Sequence, residues 1–363
     1  MRKGRVLIIF FLIISLVLSG CNNAKEMAKE KENNFEIKSA LKIVNNYIGY
    51  LQKDDYTNAK KLYTKELSSK SKKVEDGELK IKGFTINNVN EIGRSALVEL
   101  KVARCSEKYA QAFLDNLAIK VTKEGSEYKI SDIKYSPEKE GFIESGKVRQ
   151  RNKTNVKTDL ILEKGSIPTY FFPKVDAGNI HKVLVSKEEF GRLQFNYNAD
   201  KIAISTKGKM PFIGIIIIDD SLAVQGPSSG AGSTPPSGGT TGGQSSSGMK
   251  EIPIGKEIIS LDVLKDKNID FLVFSQDDEF VLCQYSDSNN GKFIRVYNTG
   301  EGSLIPVNLE SIFPVDKVNI LFNGFDKETL NFQVVKRNEK DNVDGNIIGN
   351  WSLDLKEFKL TKI

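Results

Sequence analysis

The chain has 363 residues, of which 39% are hydrophobic and 28% charged. That balance describes folded protein on the scale of about two domains and excludes a collagen-like or wholly disordered chain. The net charge is +6, but only nine of the 53 basic residues are arginine and the lysines are spread along the sequence, which argues against an arginine-rich nucleic-acid surface.

In chain order, Met1 to Cys21 comes first. Arg2, Lys3 and Arg5 form a basic head, followed by an apolar run from Val6 to Leu18 interrupted only by Ser15. A basic head, a short apolar segment and small residues at its end form the pattern of a secretory signal. A membrane-spanning helix needs roughly 20 apolar residues, more than this run supplies. The ending Leu18-Ser19-Gly20-Cys21 resembles the lipobox of bacterial lipoproteins. The resemblance implies that Cys21 is fatty-acylated and becomes the first mature residue. Two acyl chains would then hold the protein stably at the extracytoplasmic face of the cell membrane. The Lys, Asn and Ile bias fits a Gram-positive source of clostridial or bacillar type. Residues 22–36, polar and rich in Lys and Glu, read as a flexible tether.

From Ile37, the residues Ala40, Leu41, Val44, Tyr47, Ile48 and Leu51 recur at helical steps. Asp54 or Asp55 is placed to cap a second helix with Tyr56, Ala59, Leu62 and Tyr63 on one face. Strands are expected over 79–86, 95–103, 117–122 and 127–135, with Gly125-Ser126 as a hairpin turn. Helices followed by a meander predict an α+β domain over 37–135. Lys53-Asp54-Asp55-Tyr56 leading into a helix, and a last hairpin from Gly125 to Ile133, resemble the NTF2-like cone fold. Enzymes of that fold place an Asp with a His or Tyr inside the cone. Here Asp115 and Asp132 are the available carboxylates, the segment holds no histidine, and both read as turn residues near strand ends.

Residues 136–157 mix Pro137 with many charges and read as a linker. Residues 158–363 read as all-β, with short strands separated by turns. Phe195 to Ile204 lines up with Phe274 to Leu282, and more loosely with Leu321 to Phe332. Each copy is strand, polar turn with an acidic residue, strand. The first two copies resemble the hairpin of TolB-type and WD40-like β-propeller blades, with Asp200 later than that pattern places its aspartate and Asn198 as its companion. At about 40 to 50 residues per blade, the region holds roughly four. A Gly/Ser/Thr/Pro segment over 226–248 interrupts one blade and reads as a disordered insertion at a hairpin tip.

The residues offer little chemistry. His181 stands alone, too few for a zinc shell, and no Cys-x-x-Cys occurs. Gly226-Pro227-Ser228-Ser229-Gly230 has the letters of a nucleophile elbow but no helix after Ser228. Asp219-Asp220 and Asp277-Asp278 are adjacent carboxylates. Asp287 to Gly291 lacks the central glycine and final glutamate of a calcium loop and reads as a polar turn. Cys105 and Cys283 read as small buried hydrophobes. No catalytic, cofactor-binding or metal-ligating residue is assigned.

The sequence therefore predicts a lipid-anchored, non-catalytic binding or interaction module at the cell envelope. Its partners would be the membrane, through Cys21, and a protein or cell-wall component, with no nucleic acid. The alternatives are an envelope enzyme or enzyme-associated subunit using the cone as substrate pocket, and a structural accessory of an envelope or sporulation complex.

Overall fold

The computed structural model describes residues 35–71, 78–153, 157–173, 181–224 and 251–363. Three helices open it: α1 (Ile37–Gln52), α2 (Tyr56–Lys61) and α3 (Lys65–Lys70). A six-stranded sheet in sequence order follows, with β1 (Leu79–Ile92), β2 (Ser95–Ser106), β3 (Ala112–Glu124), β4 (Glu127–Glu144), β5 (Lys147–Asn152) and β6 (Asp159–Glu163). The chain divides into two compact units. Among the described residues, the first takes 35–71, 86–100 and 117–134, and the second 78–85, 101–116 and those from 135 onward.

In the first unit, α1 buries Ala40, Val44, Tyr47 and Ile48, the face expected from their spacing. Asp55 caps α2 by accepting from Asn58 N at 3.0 Å. The hydroxyls of Tyr47 and Tyr63 share a hydrogen bond of 2.8 Å inside the core, which satisfies two groups that water cannot reach. Phe35 stacks 5.2 Å from Tyr128, and Tyr128 Oη accepts from Glu36 N at 2.7 Å, so the last two tether residues are packed.

The α+β cone expected over 37–135 is not present. Beside the 16-residue α1, helices α2 and α3 have only six residues each, whereas β1 to β4 run to between 12 and 18, and the described chain is mostly β. The six-strand meander runs through β4 and β5, across residues 136–152 that the sequence had marked as a linker. The reason is electrostatic. Glu140 lies directly opposite Arg151 in the β4–β5 register and pairs with it, so charge that reads as a solvated connector is cross-strand pairing.

The second unit continues with a ribbon of β7 (Tyr170–Phe171) and β8 (Val183–Leu184), then three more sheets. One holds β9 (Phe190–Phe195), β10 (Lys201–Thr206), β11 (Phe212–Ile218) and β12 (Gly255–Val263). The next holds β13 (Asn268–Phe274), β14 (Phe280–Ser286) and β15 (Lys292–Asn298). A helical turn, α4 (Leu309–Ile312), leads to the last, with β16 (Val318–Phe325), β17 (Thr329–Lys336), β18 (Gly349–Asp354) and β19 (Leu360–Lys362). Between β15 and α4, Leu304 forms an isolated antiparallel bridge to Tyr297. Because β11 and β12 pair directly, the 226–248 segment connects neighbouring strands; it lies outside the described residues.

Burial shows how these sheets stack. Every residue from Phe280 to Tyr285 is buried. Val281, Cys283 and Tyr285 enter one core, with Phe195, Ile204 and Phe212, while Phe280 and Leu282 enter a second, with Ile320, Phe332 and Leu353. Alternate residues of a strand point to opposite faces, so the β13–β15 sheet is covered on both sides. The last sheet buries only one face, through Leu330, Phe332 and Val334. Its other face carries Asn331, Gln333 and Ser352, the polar finish a terminal repeat requires.

Candidate functional site

The three hairpin copies read from sequence are the first two strands of these three sheets. The turns of the first two are built alike. Asn196 Oδ1 accepts from Lys201 N at 2.8 Å, and Ser275 Oγ accepts from Phe280 N at 2.9 Å. Ala199 and Asp278, at matching positions, both have φ of 61°. The turns also bond to each other. Asp278 accepts from Asn196 Nδ2, Tyr197 N and Asn198 N at 2.9, 3.1 and 3.2 Å, and Gln276 Nε2 donates to Phe325 O at 2.9 Å. Burial pushes the Asp278 carboxyl above its usual range, partly offset by those three donors.

On this framework lies an open groove of about 820 Å³. One wall is the β4–β5 hairpin, whose turn residues Ser145 and Gly146 have φ of 50° and 71°, as a two-residue type I′ turn requires. Glu140 and Phe142 share the face turned to the groove, with Arg151 from β5. Arg151 Nε donates to Glu140 Oε2 at 3.1 Å, with a second bond from Nη2, and the guanidinium lies 5.9 Å from the Phe142 ring centre. Opposite stand Lys207, paired with Glu189 at 2.9 Å, and Lys164, whose Nζ donates to Glu188 O at 3.0 Å. Tyr109, from the β2–β3 turn, is 58% exposed at the rim.

The hairpin is fixed from behind. Lys139, 7% exposed, donates to Ala199 O at 3.0 Å and Asp220 Oδ2 at 2.7 Å, and Gln150 Nε2 donates to Asp220 Oδ1 at 2.7 Å. Gly141 lies against Phe195 and Ile202, so closely that a side chain there would press on both. A groove wall held by buried polar bonds is preorganised for its ligand.

Two further polar clusters occur in this unit. Arg295 Nη1 and Nε pair with Asp262 and Glu310, each at 2.8 Å, while Tyr297 Oη donates to Asp262 and Tyr285 Oη to Glu310. Burial pushes Glu310 up, but the Arg295 and Tyr285 bonds outweigh it and hold the carboxyl below its usual range. In the other cluster, Asp115, wholly buried, pairs through Oδ2 with Arg104 at 2.7 Å. Burial raises the Asp115 carboxyl in spite of Arg104.

Leu18, Ser19, Gly20, Cys21 and Ser228 lie outside the described residues. Asp115 sits within β3 and is not a turn residue. Asp132 accepts from Ile133 N. Asp219 caps a short 3-10 turn through Ser221, Asp277 accepts from Ser275 Oγ, and Asp287 accepts from Asn289 N, Gly291 N and Arg337. His181 is exposed just before β8. Cys105 and Cys283 are both buried and free, and burial raises the Cys105 thiol to about 11. Among the described residues, no group of three His, Cys, Asp or Glu could hold a metal, and no helix is long and apolar enough to cross a membrane. Sequence reasoning missed Tyr109, Glu140 and Arg151. The usable signal was Ser145-Gly146 flanked by acids before it and bases after it at alternate positions.

No family model matches the chain, and no curated protein matches it. Similar solved structures include TolB from Acinetobacter baumannii, at 8% identity over 69% of this chain and 54% of that one, with a TM-score of 0.31. An acylaminoacyl peptidase from Pyrococcus horikoshii matches at 9% identity over 78% of this chain and 33% of that one, with a TM-score of 0.28. The β-propeller domain of Cps50 (Swd1) from Myceliophteria thermophila matches at 9% identity over 69% and 80%, with a TM-score of 0.24. This chain spans about half of the TolB structure and a third of the peptidase. Successive antiparallel sheets of four, three and four strands make its C-terminal region β-propeller-like.

Proposed function

We propose that this protein is a non-catalytic interaction module and that the groove beside the β4–β5 hairpin is its binding surface. The observation that carries this reading is the groove itself, walled by a hairpin that Lys139 and Gln150 clamp to the neighbouring sheet. A concave, preformed surface with a few fixed polar groups is where binding resides by default. Three carboxylates that line it are held by bases: Glu140 by Arg151, Glu144 by Arg149 and Glu189 by Lys207. We further propose that Cys21 is acylated, so that the module works at the outer face of the cell membrane.

Photo-cross-linking on intact cells tests the reading. A benzophenone side chain at position 109 should give a discrete higher-mass adduct, and the same group at Lys327, exposed on the β16–β17 turn, should not. Equal adducts from both positions, or none from 109, would remove the groove from consideration.

A further inference from the structure

We propose that the occupant of the groove is an uncharged saccharide chain, an inference that rests on the groove being the binding surface. Four cationic and four anionic side chains line it, so the lining has no net charge with which to select an anion or a cation. These charges are also engaged. Arg151 is held by Glu140, Lys207 by Glu189, and Lys164 by the Glu188 carbonyl. A charged ligand would have to compete with these pairs. A hydroxyl, both donor and acceptor, can bond to their remaining N–H groups and lone pairs while leaving them intact.

The aromatic groups point the same way. Tyr109 stands 58% exposed at the rim, and Phe142 lies beneath the Arg151 guanidinium. A pyranose ring has one face of C–H groups and an equator of hydroxyls, which suits an aromatic ring bordered by fixed polar pairs. The hairpin wall offers an extended peptide no strand to pair with, since strand addition needs a free sheet edge and β4 lies between β3 and β5, and β5 between β4 and β6. The volume of about 820 Å³ lies within the range of small-ligand sites.

The test is calorimetric titration of the purified full chain with a pentamer of N-acetylglucosamine and with maltopentaose, beside polyglutamate and polylysine as charged probes. At least one neutral pentamer should bind, with an affinity that changes less than about twofold when salt rises from about 0.05 to 0.5 M. Tyr109→Ala should weaken binding at least tenfold with an unchanged circular dichroism spectrum, and Lys207→Ala should weaken it through a second wall. Binding of the charged polymers alone would overturn the proposal. So would a null titration with both sugars when position 109 cross-links to a polypeptide, an outcome that leaves the interaction module standing. A null titration with no cross-link from position 109 would take both readings down.

Discussion

The carboxylate of Asp278 accepts a hydrogen bond of 2.9 Å from the side-chain amide of Asn196, 82 residues away at the corresponding turn of the preceding sheet. Each residue also shapes its own turn, Asn196 by accepting from Lys201 N and Asp278 by adopting a φ of 61°. A single aspartate thus closes one hairpin and joins it to another. Asp278→Asn tolerates the positive φ, since asparagine adopts that region readily, but it replaces an acceptor with a donor facing Asn196, Tyr197 and Asn198. It should cost about 1–3 kcal/mol in denaturant unfolding. Asp278→Ala should cost more, because it adds backbone strain. Equal stability of Asp278→Asn and the parent would refute the link.

A buried glutamine joins the next pair of sheets. Gln284 Nε2 donates to Phe293 O at 2.8 Å and Ile320 O at 3.0 Å, and its Oε1 accepts from Phe322 N at 3.0 Å. Gln284→Leu keeps much of the volume but leaves backbone groups without partners. We expect a loss of about 1–3 kcal/mol, read as a lower denaturant midpoint at an unchanged slope. A neutral or stabilising effect would show that water reaches these groups.

The Arg295 cluster gives a pH dependence. The folded-state pKa of Glu310 is depressed by its bonds to Arg295 and Tyr285. Its stabilising contribution is therefore complete above the unfolded value, about 4.3, and is lost as pH falls through the lower folded value. The stability gap between the parent and Glu310→Gln should be level from about pH 6 to 8 and should close in acid, below about pH 4. A gap that widened on acidification would reverse the assignment.

Anchoring predicts a chemical result. Growth with an alkynyl fatty acid should label the protein, and Cys21→Ala should abolish the label. Label retained by that variant would place acylation elsewhere.

Much of the C-terminal region was legible in the sequence. The Phe195 and Phe274 copies proved to be matching hairpins because the same turn chemistry, a polar side chain accepting from the residue five positions on, recurs at Asn196 and Ser275. The first 150 residues were less transparent. Their first two helices and the Gly125 turn were found, but α3 was not expected, and Glu138, Lys139 and Glu140 hid a strand. Each pairs with a residue distant in sequence: Lys101, Asp220 and Arg151 respectively. The groove was invisible for the same reason, since Tyr109, Arg151 and Lys207 meet only through tertiary structure.

Hydrogen exchange of the full chain with and without isolated cell envelopes tests the groove most directly. Protection is expected at residues 108–111 and along the β4–β5 hairpin, with none at the β16–β17 turn. Exchange unchanged at the groove, or slowed only on the last sheet, would contradict the account.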